Sequence, residues 1–215
     1  YGFICEIAQY IRSQHPEIYL LAGGTHVSLN PEKAIGDAFD ARCIGEGEYP
    51  TLELVNQLEE GKTVTGIKNL WIKNEGTLER NPTREFCQNL DSLPFPDRDI
   101  WQKWMNAARA KHVILLGRGC PFRCTYCCNH ILMKIAPGRF VRFRSPENVI
   151  KELESIVHQF PHTKDVYFEV ETIGADMTFA EELCSRLIEF NAAFNKPLSF
   201  GVNLRIIPNV DYNNL

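Results

Sequence analysis

The chain has 215 residues, 44% of them hydrophobic and 23% charged, with a formal net charge of −4. That composition belongs to a globular protein with a sizeable core and excludes a disordered or low-complexity chain. No apolar run approaches the roughly 18 residues of a membrane span, and no signal peptide is recognisable, so the expectation is a cytoplasmic protein without a membrane span. The charge is uneven: from Ile100 to Pro146 there is no Asp or Glu but there are nine Lys and Arg residues. An anionic ligand or partner is expected at that stretch.

In chain order, residues 3–14 space Phe3, Ile4, Ile7, Ala8, Tyr10 and Ile11 as one face of a helix. EIYLLAGG is a short apolar run ending in two glycines, as a buried parallel strand does. NPEKAIGDA opens on an Asn–Pro start signal and reads as a short helix. ARCIGEGE reads as a second short strand ending at glycine, and TLELVNQLEEG as an amphipathic helix stopped by Gly61. GIKNLWIKNEGTLER is a hairpin turning at Asn74-Glu75-Gly76. Residues 81–99 hold three prolines and little periodicity, the mark of a surface linker.

The second half repeats one unit. HVILLG is a buried strand; residues 145–160 are a helix capped by Ser145 with Pro146 in its first turn. DVYFEVE is a strand, and residues 178–194 are a helix with Thr178 and Glu181 as a capping box. LSFGVNL is the third strand. This order implies an α/β fold with a parallel sheet and right-handed crossovers. The domain expectation is 1–80, a linker over 81–107, and a second domain over 108–215. Three strands are too few for a barrel or wide sheet, and Tyr1 is not an initiator, so the chain is expected to be a piece of a longer protein.

Of the eight cysteines, Cys5, Cys43, Cys87 and Cys184 are scattered and read as small buried hydrophobes of a reducing compartment. The other four crowd into GCPFRCTYCCNH, directly after the strand HVILLG, where α/β folds place their chemistry. Cys120, Cys124 and Cys127 form C-x3-C-x2-C. A zinc site wants four ligands, and His130 is the only obvious fourth. A thioredoxin-type pair leaves Cys120 unexplained. Three thiolates suit a 4Fe–4S cluster with one open iron, while structural zinc and packed thiols stay open as alternatives. Cys128 is expected to be a packed bystander.

The loop resembles the cluster loop of the radical S-adenosylmethionine enzymes, with Cys120, Cys124 and Cys127 at the three cysteine positions and Tyr126 at the aromatic one. LAGGTHVSLNPEKA, CIGEGEYPTLELVNQLEEG and LDSLPFPDRDIW further resemble cobalamin-dependent members of that family. The resemblance implies the C-terminal part of a Rossmann-like cobalamin-binding domain, followed by the first half of a partial β/α (TIM-like) barrel. It implies a 4Fe–4S cluster that cleaves S-adenosylmethionine to a 5′-deoxyadenosyl radical, with cobalamin as a second cofactor, for methylation or rearrangement at an unactivated carbon.

On the same basis Gly23, Gly24, Thr25, His26, Gly45, Glu46 and Gly47 would border the cobalamin tail. His26 is expected to be a loop hydrogen-bonder, not a cobalt ligand, since the D-x-H-x-x-G motif is absent. Glu169 and Glu171 alternate along a strand and would face the S-adenosylmethionine ammonium together. The family often has two adjacent acids here; Glu171 matches the second, and Val170 stands in place of the first. Arg205 could pair with a carboxylate, and Tyr126 would lie at the cofactor. Expected partners are a small-molecule substrate and an acidic electron donor such as flavodoxin or ferredoxin, with no nucleic acid. The rival readings are a cobalamin-independent, methylthiotransferase-like enzyme and a non-catalytic iron–sulfur or zinc-binding module.

Overall fold

The structure, a computed structural model, describes residues 1–34, 38–101, 111–206 and 211–212. The chain divides into two compact units, Tyr1–Cys87 with Arg123–Arg139, and Gln88–Phe122 with Phe140–Leu215. Both are α/β.

In the first unit, helix α1 (Gly2–Gln14) precedes the short strand β1 (Leu21–Ala22), and helix α2 (Thr25–Leu29) leads to strand β2 (Ala41–Cys43). Helix α3 (Glu48–Glu59) is followed by the hairpin of β3 (Leu70–Asn74) and β4 (Thr77–Arg80). The sheet order is β1-β2-β3-β4, parallel between β1 and β2 and antiparallel beyond. The hairpin turns at Glu75 and Gly76, whose φ angles of 47° and 83° fit the mirror-image turn that matches strand twist. The helix expected over NPEKAIGDA does not form in its described part: residues 31–34 and 38 are turns, and 35–37 lie outside the described residues. The helix of this region is instead α2, five residues too short to leave a periodic signal.

The second unit opens with β5 (Lys111–Leu115) and β6 (Gly117–Arg118). The chain then leaves through the cysteine loop, which contains the single turn α4 (Asn129–Leu132), and returns at β7 (Arg142–Phe143). Helix α5 (Pro146–Gln159), strand β8 (Asp165–Glu169), helix α6 (Met177–Ala192) and strand β9 (Ser199–Val202) complete it. Strands β5, β8 and β9 form a parallel sheet in that order, as the sequence predicts. Its core joins Ile114, Leu116, Val166 and Phe168 to Val149, Leu153 and Ile156 of α5 and Leu183 and Leu187 of α6.

Ser145 caps α5 by accepting the Asn148 N–H (3.1 Å), as expected. The second cap differs: Asp176, not Thr178, accepts from Phe179 N–H (3.0 Å), and α6 starts at Met177. Asp176 has the extended backbone a cap needs, whereas Thr178 is already helical. Strand β5 also departs from the expected full burial. It alternates, with His112 and Ile114 inside while Val113 is 53% exposed. Residues 81–99 are irregular apart from 3-10 turns at Leu90–Ser92 and from Asp99, yet Phe86 and Leu90 are buried, so the segment is not purely a surface strap.

His112 is buried against Phe160, ring centres 4.6 Å apart, and its Nε2 has no partner. Burial pushes its pKa below the ordinary histidine value, and Arg98 adds to the effect. The folded state therefore resists a proton that the unfolded chain accepts near pH ~6.5, so this contribution holds above that pH and is lost as pH falls through it. The urea midpoint of the second unit is expected to drop between about pH 7 and pH 5. His112→Phe should flatten that slope, and an unchanged slope would refute the assignment.

Candidate functional site

Two parallel strands end beside each other at glycine loops, as open α/β sheets place their ligand sites. After β1, Gly23, Gly24, Thr25 and His26 are exposed, and a Cβ on Gly24 would meet nothing within 4 Å. Thr25 and His26 are in α2 rather than in a loop, and His26 stacks on Tyr1 (ring centres 4.5 Å apart). After β2, Gly45 takes φ +87° and donates its N–H to Ser28 Oγ (3.0 Å), which ties the second loop to α2. Gly47 caps α3. Glu46 turns its carboxylate to the Cys87 N–H (2.7 Å) and thus acts on the protein's own backbone.

Sequence reasoning missed the residue that organises this edge. Asn69 is 1% exposed with φ 73°. Its Nδ2 donates to the Ile44 carbonyl (2.6 Å), and its Oδ1 accepts from the Arg84 N–H (2.9 Å) and Nε (3.1 Å). The only local signal is an asparagine where the backbone turns left-handed.

The excursion Arg123–Arg139 carries Cys124, Cys127 and Cys128, and it packs in this unit. The Ile135 carbonyl accepts from Thr83 Oγ1 (2.9 Å), and the Pro137 carbonyl accepts from Phe86 N–H (3.0 Å). A Cβ on Gly45 would lie 3.8 Å from the Ile135 side chain. Cys124 and Cys127 bracket a turn, Cys127 N–H to Cys124 carbonyl (3.1 Å), and the Asn129 N–H points at Cys127 Sγ (3.5 Å). Cys128 starts α4: its carbonyl accepts from Ile131 and Leu132. Tyr126 is 91% exposed.

Cys120 belongs to the second unit, just past β6. The stem of the loop is the two-residue antiparallel ladder of β6 and β7. Glu169 ends β8, and Glu171 lies two residues on, beyond the strand, with Val170 buried between two exposed acids. Arg205 follows β9; its guanidinium carbon lies 4.0 Å from the centre of the Phe122 ring, and its backbone N–H donates to Thr172 Oγ1 (3.1 Å).

All eight thiols are unbridged. Cys43 is buried, which pushes its thiol up to about 11 and keeps it protonated. The four loop cysteines are half-exposed. Among the described residues no three His, Cys, Asp or Glu side chains already stand together as a metal cage. Fit therefore rests on the donor set, three soft thiols on one loop, which suits an iron–sulfur cluster or zinc and not a hard cation.

The basic stretch is partly self-neutralised. Arg144 is buried and pairs with the buried Glu152 of the same unit, and Arg142 is buried with Nε on the Phe140 carbonyl (3.1 Å). Arg123, Lys134 and Arg139 remain exposed on the loop, while Lys103 and Arg109 lie outside the described residues. No helix among the described residues is long and apolar enough to cross a membrane.

The chain superimposes on the radical S-adenosylmethionine methyltransferase TsrM of Kitasatospora setae over 93% of its length, with a TM-score of 0.66 and 20% identity. It matches the cobalamin-dependent S-adenosylmethionine radical enzyme OxsB over 93%, with a TM-score of 0.68 and 21% identity. The chain has the fold of the cobalamin-dependent radical S-adenosylmethionine enzymes. It covers 39% of that TsrM chain and 28% of that OxsB chain.

In sequence, this radical-enzyme fold is joined by two curated relatives. One is an uncharacterized methyltransferase of Pyrococcus horikoshii, 30% identical over 185 residues. The other is the anaerobic magnesium-protoporphyrin IX monomethyl ester cyclase of Rubrivivax gelatinosus, 29% identical over 210 residues. The matches take in 84% and 92% of the chain but only 39% and 36% of the relatives. No protein-family model matches the chain.

Proposed function

We propose that the chain is part of a radical S-adenosylmethionine enzyme that also uses cobalamin and acts by methylation, cyclisation or rearrangement at an unactivated carbon of a small molecule. The observation that carries this is the C-x3-C-x2-C set of Cys120, Cys124 and Cys127. It sits on a loop leaving a parallel sheet, in a fold shared with TsrM and OxsB, which have been solved with a 4Fe–4S cluster, S-adenosylmethionine or its analogue, and cobalamin. The Pyrococcus methyltransferase and the Rubrivivax cyclase support methylation and cyclisation.

In this reading residues 1–80 are the end of a Rossmann-like cobalamin-binding domain, 81–107 a linker, and 108–215 the first part of a partial β/α barrel. The three thiols hold the cluster as thiolates. Bound together, a reduced cluster and S-adenosylmethionine supply a 5′-deoxyadenosyl radical, and cobalamin supplies a methyl carrier. The chain's own groups bind and orient: Glu169 and Glu171 offer carboxylates to an ammonium, Tyr126 offers an exposed ring, and Gly23 and Gly24 leave room for close backbone approach. Arg123, Lys134 and Arg139 give the loop a cationic surface for an acidic electron donor.

The test is anaerobic reconstitution of the full chain with iron and sulfide. About four irons per chain and reductant-dependent cleavage of S-adenosylmethionine are expected. Cys124→Ala should lose the cluster and the cleavage together. Full iron content in Cys124→Ala would sink the ligand assignment, and bound zinc without cleavage would favour the non-catalytic module.

A further inference from the structure

The limb of the loop that carries Cys120 is held from two sides. On one side, Gly119 presses against the backbone of Phe140, so closely that a Cβ would overlap the Phe140 carbonyl. On the other, the Arg205 guanidinium covers Phe122, 4.0 Å from its ring centre. Arg205 is itself anchored. Its N–H bonds Thr172 Oγ1, and Thr172 is 1% exposed. Two residues earlier, Asn203 accepts the Tyr167 phenol (2.7 Å) and the Ile173 N–H (3.0 Å) and donates to the Val170 carbonyl (3.3 Å). The segment 203–205 is thus sewn to the end of β8.

We propose that Phe122 and Arg205 are a positioning pair that sets the conformation of the Cys120 limb, so that Arg205 acts on the loop and not on a cofactor carboxylate. The inference rests on the reading of Cys120 as a cluster ligand. The physical reason is spacing: Phe122 is the middle residue between Cys120 and Cys124. Holding its side chain fixes the backbone between two ligand positions. A cation over an aromatic face at a partly exposed site favours the held conformation by roughly two- to fivefold.

The pair is tested in the full chain before and after reconstitution. Before loading, iodoacetamide labelling of Cys120 is followed by peptide mass spectrometry, with Cys184 of α6 as the control for general unfolding. Phe122→Leu and Arg205→Gln are each expected to speed Cys120 labelling roughly two- to fivefold. The double variant should be no faster than either single one, and Phe122→Tyr should keep the native rate. After loading, both single variants should share one altered electron paramagnetic resonance spectrum of the reduced cluster. Unchanged labelling, additive effects, or a native rate in Phe122→Leu overturns the pair. If the native chain takes up no iron, the cluster reading fails, and the labelling cycle still decides the pair.

Discussion

Gly119→Ala is expected to open the stem of the cysteine loop while leaving the rest of the second unit folded. Gly119 sits at φ +84°, where an L-residue is strained by about 1 kcal/mol. The larger penalty is steric, because the new Cβ would run into the Phe140 carbonyl oxygen and come within 2.7 Å of its carbon. A flexible side chain could swing aside, but this obstacle is backbone. It is held two residues from β7, where Arg142 pairs with Arg118, and the Arg144 N–H bonds the Leu116 carbonyl (2.9 Å). Relief therefore requires the β6–β7 ladder to separate. Faster hydrogen exchange at the Arg118 and Arg144 amides is the readout, together with loss of iron from the reconstituted chain. Gly76→Ala is the control: its φ of 83° is equally strained, but a Cβ there meets nothing within 4 Å. Equal effects in the two variants would show that backbone strain alone governs and that the close approach at the stem has no consequence.

The features that could be read in the sequence were those whose cause is local. The Ser145 cap with Pro146 behind it, the turn at Glu75-Gly76 and the order of the three parallel strands each follow from a few adjacent residues. What failed depended on residues outside the stretch being read. Thr178 and Glu181 have capping-box chemistry, but the helix begins before them because Asp176 takes the extended position first. HVILLG looks buried by composition, yet helices pack on only one face of its sheet among the described residues, so Val113 and Leu115 stay open. The Glu46 carboxylate accepts from the Cys87 N–H, 41 residues away, a bond that its glycine loop does not signal. Asn69 carries little local signal of its importance, since the groups its side chain bonds belong to Ile44 and Arg84. Within the basic stretch, the anion that Arg144 meets is Glu152 of the next helix.

Glu152→Ala should cost the second unit about 3–5 kcal/mol, the largest stability effect expected of any single change described here. Glu152 is 1% exposed on the core face of α5, among Val149, Leu153 and Ile156. One carboxylate oxygen accepts from Arg98 Nη2 (2.8 Å) and the other from Arg144 Nη1. Each arginine also closes a backbone group of β5, with Arg98 donating to the Val113 carbonyl (2.7 Å) and Arg144 to the Leu115 carbonyl (2.9 Å). Among the described strands β5 is an edge, so the sheet offers these carbonyls no second strand. The carboxylate thus pairs with two largely buried guanidinium groups that take the place of that strand. Removing it leaves both charges without a counterion and loosens the cap on the edge. Glu152→Gln keeps the shape and one acceptor and should cost less. Replacing all three residues by apolar ones would remove the charge problem but leave two carbonyls unmatched, at about 1–3 kcal/mol each. Urea denaturation decides: a lower midpoint with an unchanged slope is expected for Glu152→Ala. A loss below about 1 kcal/mol would mean that water already reaches the two arginines and that the edge is not sealed by this network.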